Sequence, residues 1–503
     1  MFLFNLFKKE EKNKQAKKRI QSSADKSAMQ FDMLYQLSYM SVIASAGVPR
    51  SQIFSFAARV PCASAEYFRK IEVACRQLQY DYARACQVVG DSVKDEDIKG
   101  LLLRFSSSLL SGEPEKDFLV REAEALGEAY SNSYSGKLET LKLWTDAYVS
   151  LIMSAVLVVI VGIVSTMIWK MQTSFILGLV TVSVVVTTVG LWLIYLMTPR
   201  EYKVLRKPGS REQKMVQAMF RLLAPVAIAF AALCLVANRG LGPALIVLGI
   251  FSLPVGYISR IDDTKVDRRD SELGAFLRSL GGVATATGST VRESVSKIDF
   301  RAIHYLYKDV VRLHKRFAYG IKAKLCWDRF IEETGSEVAN RSVGMFYDAI
   351  DIGGEPEQAG YHASLFANKI SLLRARRKNV SSPFTWLCIA MHAAVVCLLV
   401  FISEIITIFS NLVKAASQNL PEMKGAAISS FTSFNFSGLE LLHALVVPLV
   451  LIYTISNAAA PAIADGGSKY KILFNLGLTS LISGAALTGL PVLARMLFSG
   501  IKV

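Results

Sequence analysis

Histidine and cysteine, the usual raw material of metal and redox centres, are scarce in this chain: 5 and 7 among 503 residues. Cys62, Cys75, Cys86, Cys234, Cys326, Cys388 and Cys397 form no CxxC pair, and their odd number closes no disulfide framework. Small buried thiols, in a reducing compartment or in lipid, are expected. His304, His314, His362, His392 and His443 lack HExxH or any other close metal spacing. No GxxxxGK[ST] loop is present, and Gly466-Gly467-Ser468-Lys469 has neither that spacing nor a strand before it. A nucleophile elbow is missing as well. Neither cofactor nor enzymatic turnover is expected. Met1 to Phe7 is too short for a signal-peptide core, and its positive charges follow it, so no cleaved leader is expected.

Charge is also thin. Only 19% of residues are charged against 52% hydrophobic, and the mean hydropathy of +0.36 is too apolar for a string of soluble domains. A hydrocarbon core of roughly 30 Å takes about 20 apolar residues in a helix. Seven stretches meet that length: Tyr148 to Trp169, Phe175 to Met197, Met219 to Ala237, Leu241 to Ile258, Phe384 to Phe409, Leu439 to Ala459 and Ile472 to Leu497. The fourth is the weakest, since it holds Pro243, Pro254 and three glycines.

What the chain does carry is one arrangement twice, at an offset of about 241 residues. Ala46-Gly47, then Gly112-Glu113-Pro114-Glu115, lead to the span from Tyr148; Thr287-Gly288, then Gly354-Glu355-Pro356-Glu357, lead to the span from Phe384. Apolar residues recur at helical spacing before each first glycine (Phe31, Leu34, Leu37, Met40; Leu273, Phe276, Leu277, Leu280), and no alternating strand pattern competes. The expected fold is all-α: a polytopic membrane protein with about seven transmembrane helices and two duplicated cytoplasmic helical bundles. The boundaries implied are a basic tail over 1–26, a first bundle over 27–145, four spans over 146–260 with a basic linker at 198–217, a second bundle over 261–383 and three spans over 384–503. In the Gly-Glu-Pro corners a left-handed glycine would cap one helix, the proline would open the next, and the carboxylate would face its positive end.

Lysine and arginine set the orientation. Thr198 to Lys214 carries six basic residues against Glu201 and Glu212, and Lys8 to Arg19 seven against two acidic ones, whereas the loops after spans one and three offer little beyond Lys170 and Arg239. The positive-inside rule places the N-terminus, the linker and the second bundle in the cytoplasm, with the C-terminus outside. The tail reads as solvated or as binding lipid headgroups. The densest basic stretch, Arg301, Lys308, Arg312, Lys315, Arg316, Lys322 and Lys324, is interrupted only by Asp309; it reads as a solvated face or as a surface for an acidic cytoplasmic partner. Nucleic acid is not expected, because no recognition module accompanies the charge. Near the outer span ends, Glu404, Glu440 and Arg495 would either reach the interface or pair as a cluster holding the last three spans together. His392 and His443 are expected to be hydrogen-bonded between helices.

These paired soluble segments, each with an early glycine turn and a Gly-Glu-Pro corner leading into spans, resemble the type II secretion F family of inner-membrane platform proteins. The closing stretch, Ser456-Asn457-Ala458-Ala459-Ala460-Pro461 and then Ile463-Ala464-Asp465-Gly466-Gly467-Ser468-Lys469-Tyr470-Lys471, is similar to the archaeal branch serving the archaellum and archaeal type IV pili. The extra spans also fit that branch. The resemblance implies a non-catalytic, homodimeric platform that couples a hexameric secretion ATPase to insertion or rotation of pilin-like or archaellin subunits. Contacts to the ATPase would then come from Lys308, Arg312, Lys315, Arg316, Lys322, Lys324, Arg206 and Lys207, with Asp465, Gly466 and Gly467 forming a cytoplasmic turn. A secondary transporter with duplicated halves is the alternative, although such proteins place broken helices and charges at the midplane.

Overall fold

A computed structural model describes residues 28–168, 173–205, 208–237, 240–299, 303–419 and 439–498. The 1–26 tail, Lys170, Arg206, Lys207, Arg239 and Arg301 lie outside them, as do the side chains of Glu440 and His443. Among the described residues the protein is helical, and its one β-type contact is an isolated antiparallel bridge between Val204 and Ser336. Seven helices are long and apolar enough to cross a membrane. The chain divides into two compact units: Met1–Lys137 with Pro199–Arg211 and Asp263–Arg376, and Leu138–Thr198 with Glu212–Asp262 and Arg377–Val503.

In the first unit, helix α1 (28–45) is the centre. Phe31, Leu34, Leu37, Met40, Val42 and Ile43 are all buried, as the apolar periodicity predicts, but so are Asp32, Gln36 and Ser41. A helix buried on every side must answer its polar groups from neighbours. Gln36 donates to the carbonyl of Ala57 in α2 (Arg50–Arg59), and Tyr39 donates to Asp348 in α13 (Glu337–Asp351). Asp32 pairs with Arg341 of α13 at 2.9 Å, while the guanidinium lies 4.5 and 4.6 Å from the rings of Phe31 and Tyr35. Around α1, helices α2, α4 (Tyr82–Ser92) and α5 (Glu96–Ser111) are joined by stacked aromatics, Phe54 lying on Tyr82 and Phe105 and Phe105 on Phe118 of α6 (Glu115–Ile168), while Phe68 of α3 (Ala65–Gln77) meets Phe54 at a tilt. The later half repeats the device differently. There, Phe276 of α9 (Leu241–Thr287) and Phe317 of α11 (Tyr307–Ala318) close on Trp327 and Phe330 of α12 (Ala323–Thr334), after the short α10 (Val291–Lys297).

The second unit holds the apolar segments of α6, α7 (Thr173–Met197), α8 (Arg211–Val236), α9, α14 (Pro356–Asn419), α15 (Leu439–Asp465) and α16 (Ile472–Phe498). Helices α6, α9 and α14 run for 54, 47 and 64 residues, well beyond the length a bilayer needs, so three of the spans continue helices that begin or end in the other unit.

The fourth span looks weak in sequence for a reason the packing supplies. Its three glycines, Gly242, Gly249 and Gly256, recur every seven residues; Gly242 and Gly249 meet Gly484 and Gly477 of α16, also seven apart, and Gly256 meets Phe474. A Cβ on Gly256 would lie 2.1 Å from the backbone nitrogen of Phe474, and one on Gly484 would lie 2.7 Å from the carbonyl of Gly242. Side-chain-free positions let the two backbones approach, which is how helices associate where lipid leaves little hydrophobic drive.

The same unit buries a polar chain. Tyr148 of α6 donates to Asn457 Oδ1 at 3.0 Å, and Asn457 Nδ2 lies 3.2 Å from His392 Nδ1. His392 Nε2 is 3.1 Å from the Thr479 carbonyl and 2.9 Å from Ser483 Oγ. A neutral imidazole carrying its proton on Nε2 satisfies every one of these contacts, and His392 is therefore an interhelical hydrogen-bonding group, as its sequence position suggests.

Gly256→Ala should push α9 from α16 and destabilise the protein by about 1–3 kcal/mol. Gly489→Ala, on α16 but with open space around it, should be neutral or slightly stabilising. Unfolding in mixed micelles compares them directly; equal behaviour would mean that the close approach contributes nothing.

Candidate functional site

The basic stretch folds into α11 and the start of α12. Helix α11 is amphipathic: Val310, Leu313 and Phe317 are buried with Leu306 just before it, while Lys308 and Lys315 are exposed, as are Lys322 and Lys324 beyond its end. The two arginines behave differently. Asp309 is fully buried and pairs with Arg269 at 3.0 Å and with Arg312; Arg312 also reaches Glu333, which pairs with Arg316. Burial pushes the Asp309 carboxyl up against the pull of Arg269 and Arg312. So Arg312 and Arg316 tie α11 to α12, and the outward positive charge rests on the lysines.

The two Gly-Glu-Pro corners are built with a difference. Gly112 has φ +75° and caps α5, and Glu113 then accepts from Ser108 Oγ at 2.9 Å and pairs with Arg121 at 2.7 Å. Arg121, with Ser108, holds the Glu113 carboxyl below its ordinary range. In the second corner the left-handed residue is Gly353 (φ +88°), one position before the glycine of the Gly-Glu-Pro motif. Gly354 is required for another reason: a Cβ there would lie 2.8 Å from that of Ala46 and 2.7 Å from the Ala349 carbonyl. Pro114 directly precedes α6, Pro356 opens α14, and Glu355 accepts from Gln358 at 2.7 Å.

At the end of α15, Gly466 and Gly467 have φ +70° and +88°. Arg377 of α14 donates to the carbonyls of Ala464 and Ile463 at 2.9 and 3.1 Å, satisfying the helix terminus, and a Cβ on Gly466 would strike its guanidinium. Asp465 accepts from Ser381 Oγ at 2.6 Å and pairs with Lys471. Glu404 and Arg495 lie 3.3 Å apart, linking α14 to α16.

The sequence reading missed the most heavily charged site. It counted the 198–217 linker as a basic surface, yet Lys203 is buried against Asp263 at 2.9 Å and Asp267 at 2.6 Å. Glu201 of the same linker faces Arg374 of α14 at 3.4 Å, and Arg374 pairs with Asp270 at 2.7 Å and donates to the Tyr202 carbonyl. Main-chain bonds from Leu205 to the Gly335 carbonyl and from Glu337 to the Lys203 carbonyl complete the attachment. The signal was present: Asp263, Asp267 and Asp270 recur at four and three residues on one face of α9. Among the described residues no His, Cys, Asp or Glu cluster could hold a metal ion.

Comparison with known proteins now bears on the arrangement. Over 405 residues the chain is 22% identical to flagella accessory protein J of Methanocaldococcus jannaschii, covering 78% of this chain and 71% of that protein. Over 434 residues it is 22% identical to the protein of the same name from Methanococcus voltae, covering 83% and 76%. The chain is similar to flagella accessory protein J over most of its length. No family model and no solved structure matches it. The matches cover 78% and 83% of this chain, so the likeness extends well beyond one motif.

Burial pushes the Asp270 carboxyl up to about 6, against the attraction of Arg374. Since that lies above the ordinary 3.8, the folded unit favours the neutral acid: this group's contribution to stability is full below about pH 4 and is lost as pH rises through 6. Asp270→Asn should flatten that part of the unfolding profile. A profile between pH 4 and 7 that the substitution leaves unchanged would place the titration elsewhere.

Proposed function

We propose that this multi-pass membrane protein is a non-catalytic platform for assembling an archaellum or a related type IV pilus-like filament. In this role it couples a cytoplasmic hexameric secretion ATPase to the insertion or rotation of pilin-like or archaellin subunits. The observation that carries this reading is the similarity, over some four-fifths of the chain, to two archaeal flagella accessory proteins, joined to seven apolar helices and a large polar helical unit. The duplicated halves belong to the same proposal, supported by left-handed glycines at matching places, Gly47 and Gly288, then Gly112 and Gly353. The platform works as a homodimer within membrane lipid.

Exposed Lys308, Lys315, Lys322 and Lys324 give the ATPase a positive surface, while Arg312 and Arg316 hold that surface together. Reversing the four lysines to glutamate should weaken capture of the cognate ATPase about ten- to hundredfold at low salt, and less as screening rises. Arg312→Glu with Arg316→Glu should instead destabilise the unit by about 2–3 kcal/mol, less than for a fully buried pair because both arginines reach solvent. ATPase binding that ignores the lysine reversal across a salt series would return the ridge to a merely solvated face.

In the same proposal the N-terminus, the linker and 460–471 face the cytoplasm, and 411–436 and the C-terminus face outward, as the basic residues direct. Ser210 is buried, so Arg211, which is exposed, is the better reporter. In intact cells an impermeant thiol reagent should modify a cysteine at Ser417 and spare one at Arg211. Equal labelling of the two would invert or abolish this topology.

A further inference from the structure

A groove of about 340 Å³ opens between α1, α5 and α6, within the size range of sites that take a specific ligand. Met33 and Leu37 of α1, Leu101 of α5 and Leu126 of α6 give it an apolar floor. Its rim is acidic. Beside the Arg104–Glu122 pair at 2.8 Å, that rim is lined by the carboxylates Asp95, Glu96 and Asp97. An apolar floor with a negative rim fits a segment that is apolar in one part and basic in the next.

The chain contains such a segment. Met1 to Phe7 (Met-Phe-Leu-Phe-Asn-Leu-Phe) is apolar and is followed by seven basic residues between Lys8 and Arg19. Further along, the same stretch joins α1, whose first turn supplies Met29 and Gln30 to the groove wall. The twenty residues from Lys8 to Ser27 reach up to about 66 Å when extended, ample to turn back onto the adjoining wall. We infer that the groove between α1, α5 and α6 is the intrachain docking site of this N-terminal segment, with phenylalanines on the floor and lysines along the acidic rim. A tail held there is kept from lipid headgroups, the alternative occupant for a basic, phenylalanine-rich segment.

Limited trypsin digestion of the full-length protein in neutral detergent tests this, with cleavage between Lys8 and Arg19 followed by intact mass. Ala129→Trp fills the groove from an exposed position. Replacing Phe2, Phe4 and Phe7 together by serine removes the anchors without touching the folded helices. Cleavage should be at least about tenfold faster in both variants, because digestion follows the population of the released tail. A photo-crosslinking residue at Phe4 should label peptides from α5 or α6 of its own chain. Equal digestion of wild type and the serine variant would overturn the assignment. So would protection seen only with anionic vesicles, crosslinks to lipid alone, or crosslinks to the groove of a second, isotope-labelled copy.

Discussion

Arg374 is the group on which the first unit most depends. Its guanidinium is buried and, from α14, touches two parts of the chain remote in sequence: Glu201 and the Tyr202 carbonyl of the linker, and Asp270 of α9. A charge removed from water must be answered in full or it costs several kcal/mol, so these partners can sit in few other ways. Arg341 does the same for α1 and α13, held by Asp32 and Glu337 and sandwiched against Phe31 and Tyr35. Two buried arginines thus specify which helices meet, while the aromatic stacks add apolar contact between helices.

In the membrane-spanning unit the same problem is met with neutral groups. Tyr148, Asn457, His392 and Thr479 pass hydrogen bonds across four helices, and Thr454 and Ser483 lie 2.7 Å apart beside them. Neutral donors and acceptors suit that setting, because each can be satisfied by one or two partners, whereas an ion would need several. The described side chains place an ion pair between spans at Glu404 and Arg495, where Arg495 remains largely exposed.

Much of this was legible because it is periodic or compositional. The seven spans follow from apolar length, α1 and the buried Leu273 to Leu280 stripe of α9 from spacing, and the helix corners from glycine and proline. The positions misread are those where meaning depends on a remote partner. Lys203 counts as a surface charge until Asp263 and Asp267 are opposite it, and Arg312 and Arg316 look like their neighbour Lys315 until Glu333 arrives from the next helix. The glycines of the fourth span appear as defects until Gly477 and Gly484 are seen against them. Gly354 belongs in part to the same class, since its need arises from remote Ala46 as well as from the nearby Ala349 carbonyl.

That division has a consequence for how the molecule divides its charge. Acidic residues of α9 and the linker's lysine are spent internally, so they add nothing to the outer field. Among the described residues the exposed lysines of the α11 ridge form no such close ion pair, and their charge acts outward, where it is screened by salt and can be met by a partner. A net charge of +16 therefore overstates neither fold stability nor binding by itself. What matters is that arginine is used where a planar, multiply bonded group must be enclosed, and lysine mostly where a mobile charge faces water. Lys203 and Lys471 are exceptions, each enclosed against carboxylates, and Lys203 fixes the linker.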